Sequence, residues 1–147
     1  MCTRVLYNGK GGRVLTGRSM DWKTELQTNL WVFPRGMERD GAAGDLSYKW
    51  KSRYGSIIAS GYEVSTTDGI NEAGLVANVL WLVESGYPSV QDGHQSISLA
   101  IWAQYVLDCF ATVDETVEAL RREDFVVVTE SVPGEKRLAT MHLSVSD

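Results

Sequence analysis

Short β-prone runs occupy both ends of the chain, and helical periodicity is confined to one stretch between them. Cys2-Thr3-Arg4-Val5-Leu6-Tyr7 and Arg13-Val14-Leu15-Thr16-Gly17-Arg18-Ser19-Met20 flank the glycine-rich segment Asn8 to Gly12, a hairpin signal. Leu30 to Pro34 reads as a strand ended by proline, and residues 35–53 as a loop in which Tyr48 to Trp50 can pair at an edge. Gly55 to Gly61 is a strand of small and β-branched residues, and Gly74 to Val83 a largely apolar one buried on both faces. Asp68-Gly69 reads as turn chemistry, and Asn71, Glu72 and Gly74 as a turn between strands. Ser85 to Gly93 reads as a loop. Ile97 to Phe110 is apolar at helical spacing on more than one face and predicts a buried helix. Thr112-Val113-Asp114-Glu115 is a capping box opening a second helix that runs to about Arg122. Phe125 to Val128 and Ala139 to Val145 close the chain as strands, connected through Pro133-Gly134. Strands, two adjacent helices and strands again predict a layered α+β domain. With no linker or repeat visible, residues 1–147 read as a single domain.

Composition narrows the class without identifying it. Hydrophobic residues make up 44% of the chain, as in ordinary globular proteins. The net charge of −5 and the lack of a Lys/Arg cluster argue against a nucleic-acid partner. No apolar run reaches the ~18–20 residues that cross a bilayer, so no membrane partner is expected. No basic start or apolar h-region precedes Cys2, which predicts a cytoplasmic chain, or a periplasmic one if a leader was trimmed. His94, expected in a loop, and His142, expected in a strand, share no metal-ligand spacing with each other or with a cysteine, so no metal is expected.

The chemistry centres on Cys2. Methionine is commonly removed ahead of a small residue, and the mature chain would then carry a thiol and a free α-amino group on one residue. An α-amino group titrates near about 8 and can accept the thiol proton. A hairpin would bring Arg18 and Asp21 back beside Cys2, where a cation favours the thiolate and a carboxylate holds the amine. The same spacing also fits a surface hairpin with ordinary charges. The second cysteine, Cys109, reads as a small core hydrophobe within the buried helix.

Three ordered motifs carry a resemblance: Cys2-Thr3-Arg4, Gly17-Arg18-Ser19-Met20-Asp21-Trp22, and Asp68-Gly69-Ile70-Asn71-Glu72-Ala73-Gly74-Leu75. Across nearly the whole chain the sequence resembles the penicillin V acylase and conjugated bile salt hydrolase (choloylglycine hydrolase) family. These are N-terminal-nucleophile (Ntn) hydrolases of linear amide C–N bonds. The resemblance implies an αββα four-layer sandwich and a Cys2 nucleophile poised by Arg18, with Asp21 orienting the α-amino group. It also implies the backbone N–H of Trp81 as one oxyanion donor, a small acyl-amide substrate, no cofactor and a homotetramer. The stretch Ala77 to Leu82 is more similar to the Gram-negative acylase branch, because intestinal bile salt hydrolases usually carry Asn where Trp81 stands. Trp22 and Trp81 read equally as acyl-pocket walls and as core tryptophans.

Relatives run considerably longer. Their downstream oxyanion Asn and a downstream catalytic Arg have no counterpart in these 147 residues, and Asn71 and Asn78 belong to the upstream motif. The expectation is therefore an incomplete sandwich, the N-terminal part of a larger domain, with an uncovered strand edge or apolar face. Such a chain would be poorly active, poorly soluble or dependent on a partner. A catalytically inactive fragment or pseudoenzyme is the alternative to a working amidase.

Overall fold

The computed structural model describes residues 2–88 and 93–147. Met1 and part of the expected loop from Ser85 to Gly93 lie outside the described residues. The first elements form the expected hairpin. β1 (Cys2–Asn8) and β2 (Val14–Met20) pair antiparallel with Cys2 opposite Met20 and Arg4 opposite Arg18. Gly11 and Gly12 supply the positive φ that the turn needs.

The central sheet has five strands in the order β11-β8-β7-β6-β3, all neighbours antiparallel. They are β3 (Leu30–Phe33), β6 (Ser56–Gly61), β7 (Ser65–Asn71), β8 (Val76–Trp81) and β11 (Met141–Ser146). Two small ribbons flank it. β4 (Glu38–Asp40) pairs antiparallel with β5 (Lys49–Lys51), and β9 (Ser96–Ser98) pairs parallel with β10 (Val126–Val128).

β7 corrects the sequence reading. Asp68 and Gly69 lie in mid-strand, paired with Ala59 and Ile58 on one side and Asn78 and Ala77 on the other. Gly69 is required by packing: a Cβ there would stand 2.6 Å from Leu107 Cδ1 and 2.9 Å from the Ile57 carbonyl oxygen. The helix also starts later than its periodicity suggests. Ser98 ends β9 and accepts the Ala100 N–H, a 3₁₀ turn covers Leu99–Ile101, and α1 (Trp102–Cys109) follows. α2 (Val113–Leu120) is capped as expected by the Thr112 hydroxyl, which accepts the Glu115 N–H at 3.2 Å. The Glu115 carboxylate takes the Ala111 N–H at 2.8 Å, one residue earlier than a standard capping box.

α1 packs on one face of the sheet. Leu75, Ile97, Val106 and Leu107 are fully buried there, and Tyr105 meets Trp50, Phe110 and Phe125 edge-on. Cys109 packs half-buried at the margin of this core. Asn71 pins the helix end, donating to the carbonyls of Leu107 and Phe110 at 2.9 and 2.7 Å while its own oxygen closes the turn into β8.

The hairpin covers the opposite face. Strand residues alternate between faces, and Asp68, Asn78 and Ser146 point away from α1 toward β1 and β2. Arg4 donates to Asn78 Oδ1 and Ser146 Oγ, each at 2.7 Å, and the Thr16 and Ser146 hydroxyls share a 2.9 Å bond. The described residues thus stack helix, sheet and hairpin in three layers. The outer side of the hairpin is apolar and bare, with Val5, Tyr7 and Leu15 60%, 62% and 64% exposed. Leu30, Val32 and Ile57 on the adjoining strands are exposed as well. Apolar surface is thus exposed both on the hairpin and on the β6–β3 side of the central sheet. Among the described residues no helix is long and apolar enough to cross a membrane.

Candidate active site

A cavity of about 160 Å³ opens at the end of the hairpin, where β8 parts from β7. Cys2, Arg18, Trp22 and Trp81 all line it. Of the residues that the sequence nominates, these four are brought together. Asp21 stands in the chain between the cavity residues Met20 and Trp22, and its carboxylate accepts the Ser19 hydroxyl at 3.3 Å.

Arg18 is held across two strands. Its Nε lies 2.9 Å from Asp68 Oδ1 on β7 in an ion pair too oblique for a straight hydrogen bond, and Nη2 donates to the Val79 carbonyl on β8. The guanidinium is largely buried, and Nη1 has no hydrogen-bond partner among the described residues. Asp68 also accepts the Asn78 amide at 2.6 Å. Both ends of the Asn78 side chain are therefore engaged, one with Asp68 and the other with Arg4.

Strand geometry aims Trp81. Its cross-strand partner Met141 turns its own N–H and C=O away from β8, both onto the Tyr87 hydroxyl, while Leu82 donates to Thr140. Trp81 and Met141 thus form a non-hydrogen-bonded pair, and the Trp81 N–H faces away from β11. The β7–β8 ladder ends at Asp68 and Asn78, so this edge of β8 borders the opening.

The indoles of Trp22 and Trp81 meet at 4.9 Å between centroids. The Arg137 guanidinium lies 4.9 Å from the Trp22 centroid and 4.5 Å from that of Trp81. Arg137 pairs with Glu135 at 2.5 Å, and the same carboxylate holds Lys23 at 3.2 Å; desolvation pushes the Glu135 carboxyl up, but these partners together outweigh it and keep it below the usual range. Trp22 Nε1 donates to the Tyr62 hydroxyl at 2.8 Å, and the Thr24 hydroxyl shares that oxygen at 2.9 Å. Tyr62 and Glu63 both adopt positive φ, 53° and 62°, in the three-residue turn Tyr62-Glu63-Val64 between β6 and β7. Sequence reasoning missed Asp68, Tyr62 and Arg137. Only Asp68 carried a signal, its place inside one of the three motifs.

The two cysteines differ sharply. Burial, reinforced by Asp108 alongside, pushes the Cys109 thiol up to about 12. Native protein is therefore expected to lose one thiol to an alkylating reagent at pH 8, Cys2, and the second only after unfolding. Equal native reactivity of both would contradict the burial of Cys109. The folded state holds the Cys109 proton above the ~8.5 at which an unfolded thiol releases it, so this group's contribution to stability declines as pH rises from about 8.5 toward 12.

The layered arrangement of helix and sheet matches that of solved Ntn-hydrolase structures. The chain belongs to the linear amide C–N hydrolases, choloylglycine hydrolase family, whose profile matches residues 2–147. It is 52% identical to a penicillin V acylase of Pectobacterium atrosepticum, over 99% of this chain and 41% of that protein. It is 28% identical to a bile salt hydrolase/transferase of Clostridium perfringens, over 100% and 45%. The solved structure of penicillin V acylase from Agrobacterium tumefaciens superposes with a TM-score of 0.90 at 59% identity, over the whole chain and 43% of that one. A conjugated bile acid hydrolase from Clostridium perfringens, at 24% identity and a TM-score of 0.79, shares the fold. The chain spans less than half the length of the curated relatives it matches.

Proposed function

We propose that the protein hydrolyses linear amides with Cys2 as an N-terminal nucleophile, exposed by removal of Met1. The observation that carries this reading is the convergence of Cys2, Arg18, Trp22 and Trp81 on one cavity. The Cys2 α-amino group takes the thiol proton, and the thiolate attacks the amide carbonyl. The tetrahedral oxyanion is met by the Trp81 N–H. Its collapse breaks the C–N bond, the amine leaves with the proton held by the α-amino group, and water then splits the thioester to release the acid. Arg18 supports the thiolate by its charge, and Asp21 orients the α-amino group. Trp22 and Trp81 wall an apolar site suited to phenoxyacetyl, steroid or fatty acyl groups. Trp81 favours penicillin V or N-acyl homoserine lactone over conjugated bile salts, and the Pectobacterium relative, a penicillin V acylase, favours penicillin V.

Amine release from a panel of these N-acyl amides, before and after alkylation with iodoacetamide at pH 8, tests the reading. Release that stops in step with Cys2 modification is expected, and release that survives full modification of Cys2 rules it out. A second reading, a chain of this family without turnover of its own, is favoured by the bare apolar face around Val5, Tyr7 and Leu15. It predicts no amine release although Cys2 still alkylates.

A further inference from the structure

We propose that Asp68 is the positioning residue for Arg18, and so sets the reactivity of Cys2 by geometry rather than by its own charge. This rests on the reading of Cys2 as nucleophile and Arg18 as its supporting cation. Arg18 projects from β2 and must cross to the central sheet to reach its partners. Two fixed points receive it there: the Asp68 carboxylate on β7 and the Val79 carbonyl on β8. Nη2 is hydrogen-bonded and Nε only ion-paired, and Nη1 is left buried without a hydrogen-bond partner among the described residues, on a side chain that lines the cavity. A buried donor without a partner is unfavourable, and here its orientation is imposed by the two anchors.

Asp68 is itself held. Asn78 donates to the same Oδ1 that meets Arg18, and Asn78 is fixed in turn by Arg4, which is tied to Ser146, which is tied to Thr16. The chain of contacts returns to the hairpin that carries both Cys2 and Arg18. It therefore locks the hairpin to the sheet and the guanidinium to the cavity through one carboxylate. Arg18 on β2 and Glu130 in the segment after β10 line the cavity with Cys2, Arg4 stands opposite Arg18 on β1, Asp21 follows β2, and Asp68 on β7 touches Arg18 directly.

The two ways in which Asp68 could matter have opposite signs. A carboxylate acting only through its charge opposes thiolate formation, so removing the charge by any substitution lowers the pH of half-maximal alkylation. A carboxylate acting as an anchor supports the thiolate through Arg18, so truncation raises that pH, whereas an amide of the same shape keeps the anchor and does not raise it.

The experiment is the pH profile of Cys2 alkylation by iodoacetamide on the full chain, with Cys109 silent below pH 10. The set comprises wild type, Asp68→Ala, Asp68→Asn, Arg18→Ala and the double variant Arg18→Ala/Asp68→Ala. The expected result is an upward move of about one pH unit for Asp68→Ala and no upward move for Asp68→Asn. The double variant should match Arg18→Ala alone, because the two residues act as one unit. Asp68→Ser, too short to meet Arg18, replaces Asp68→Ala should the alanine variant fail to fold, and carries the same expectation.

Both Asp68 variants moving downward, neither moving, or additive shifts in the double variant would overturn the proposal. If Arg18→Ala moves the profile upward and Asp68→Ala does not, the anchoring role alone falls. If Arg18→Ala leaves the profile unmoved, the role of Arg18 in supporting the thiolate falls, and Asp68 as its positioner falls with it.

Discussion

Cys2→Ala is expected to reduce amine release by roughly 10³-fold or more, the order lost when the nucleophile is taken from a unit that works as one, while leaving stability within about 1 kcal/mol of wild type. In the proposed mechanism the thiol is the bond-forming group, and no other described residue places a cysteine at the cavity. The alanine variant isolates that thiol cleanly. Alanine is also small, so it leaves the proposed removal of Met1 unaffected, and the α-amino group, Arg18 and Asp21 all remain. Cys2 is half-buried at the start of β1, so its loss opens little space in the core. Cys2→Ser keeps a hydroxyl in the same place with a far weaker tendency to ionise, and should fall almost as far. Full amine release by both variants would remove Cys2 from the mechanism.

The largest loss of stability is expected from Asp108→Ala, about 3–5 kcal/mol. Asp108 on α1 has no exposed side-chain surface, and its carboxylate accepts from Trp50 Nε1 at 2.8 Å, Gln104 Nε2 at 2.7 Å and Arg39 Nε at 3.2 Å. Burial pushes this carboxyl upward, and the Trp50 and Gln104 bonds and the Arg39 charge oppose the shift. Alanine strands three donors at once, two of them buried and the third, Arg39, part-buried and charged. Domains of this size are stable by only about 5–15 kcal/mol, so the variant should show a markedly lower urea midpoint or fail to fold. Asp108→Asn keeps the shape and should lose less, about 1–3 kcal/mol. A midpoint for Asp108→Ala indistinguishable from wild type would contradict this account of the core.

The same residue marks where sequence reasoning stops. Ile97 to Phe110 declares a buried helix by its apolar spacing, but nothing local says that Asp108 is buried with it. Its partners Trp50 and Arg39 lie 58 and 69 residues away, on β5 and β4. β7 was missed for a related reason. Ser65 to Gly69 has turn composition, and it is a strand because β6 pairs along it and β8 takes Asp68 to Ile70 from the other side. Gly69 is there because Leu107 approaches the strand closely. By contrast the hairpin and the Thr112 cap were legible, because both are local: a glycine-rich turn between β-prone runs, and a hydroxyl three residues from the N–H it accepts.

The site divides along the same line. The motifs nominated Cys2, Arg18, Asp21 and Trp22 and the family resemblance added Trp81, and four of the five line one cavity. The residues that fix them are tertiary. Asp68 reaches Arg18 across 50 positions, and Arg137 covers two indoles that lie far from it in the chain. Such partners leave no spacing pattern to read. Tyr62 is a further case, since its place beside Trp22 depends on a turn with two positive φ angles that the residues Tyr62-Glu63 do not advertise.

The most direct test of Cys2 as an N-terminal nucleophile is acid-quenched mass spectrometry of the protein mixed with a phenoxyacetyl amide. The predicted result is an N-terminal peptide that begins at Cys2 and carries one hydroxylamine-labile acyl group, absent from Cys2→Ala. Amine accumulating while that peptide stays unacylated, or still bears Met1, would contradict it.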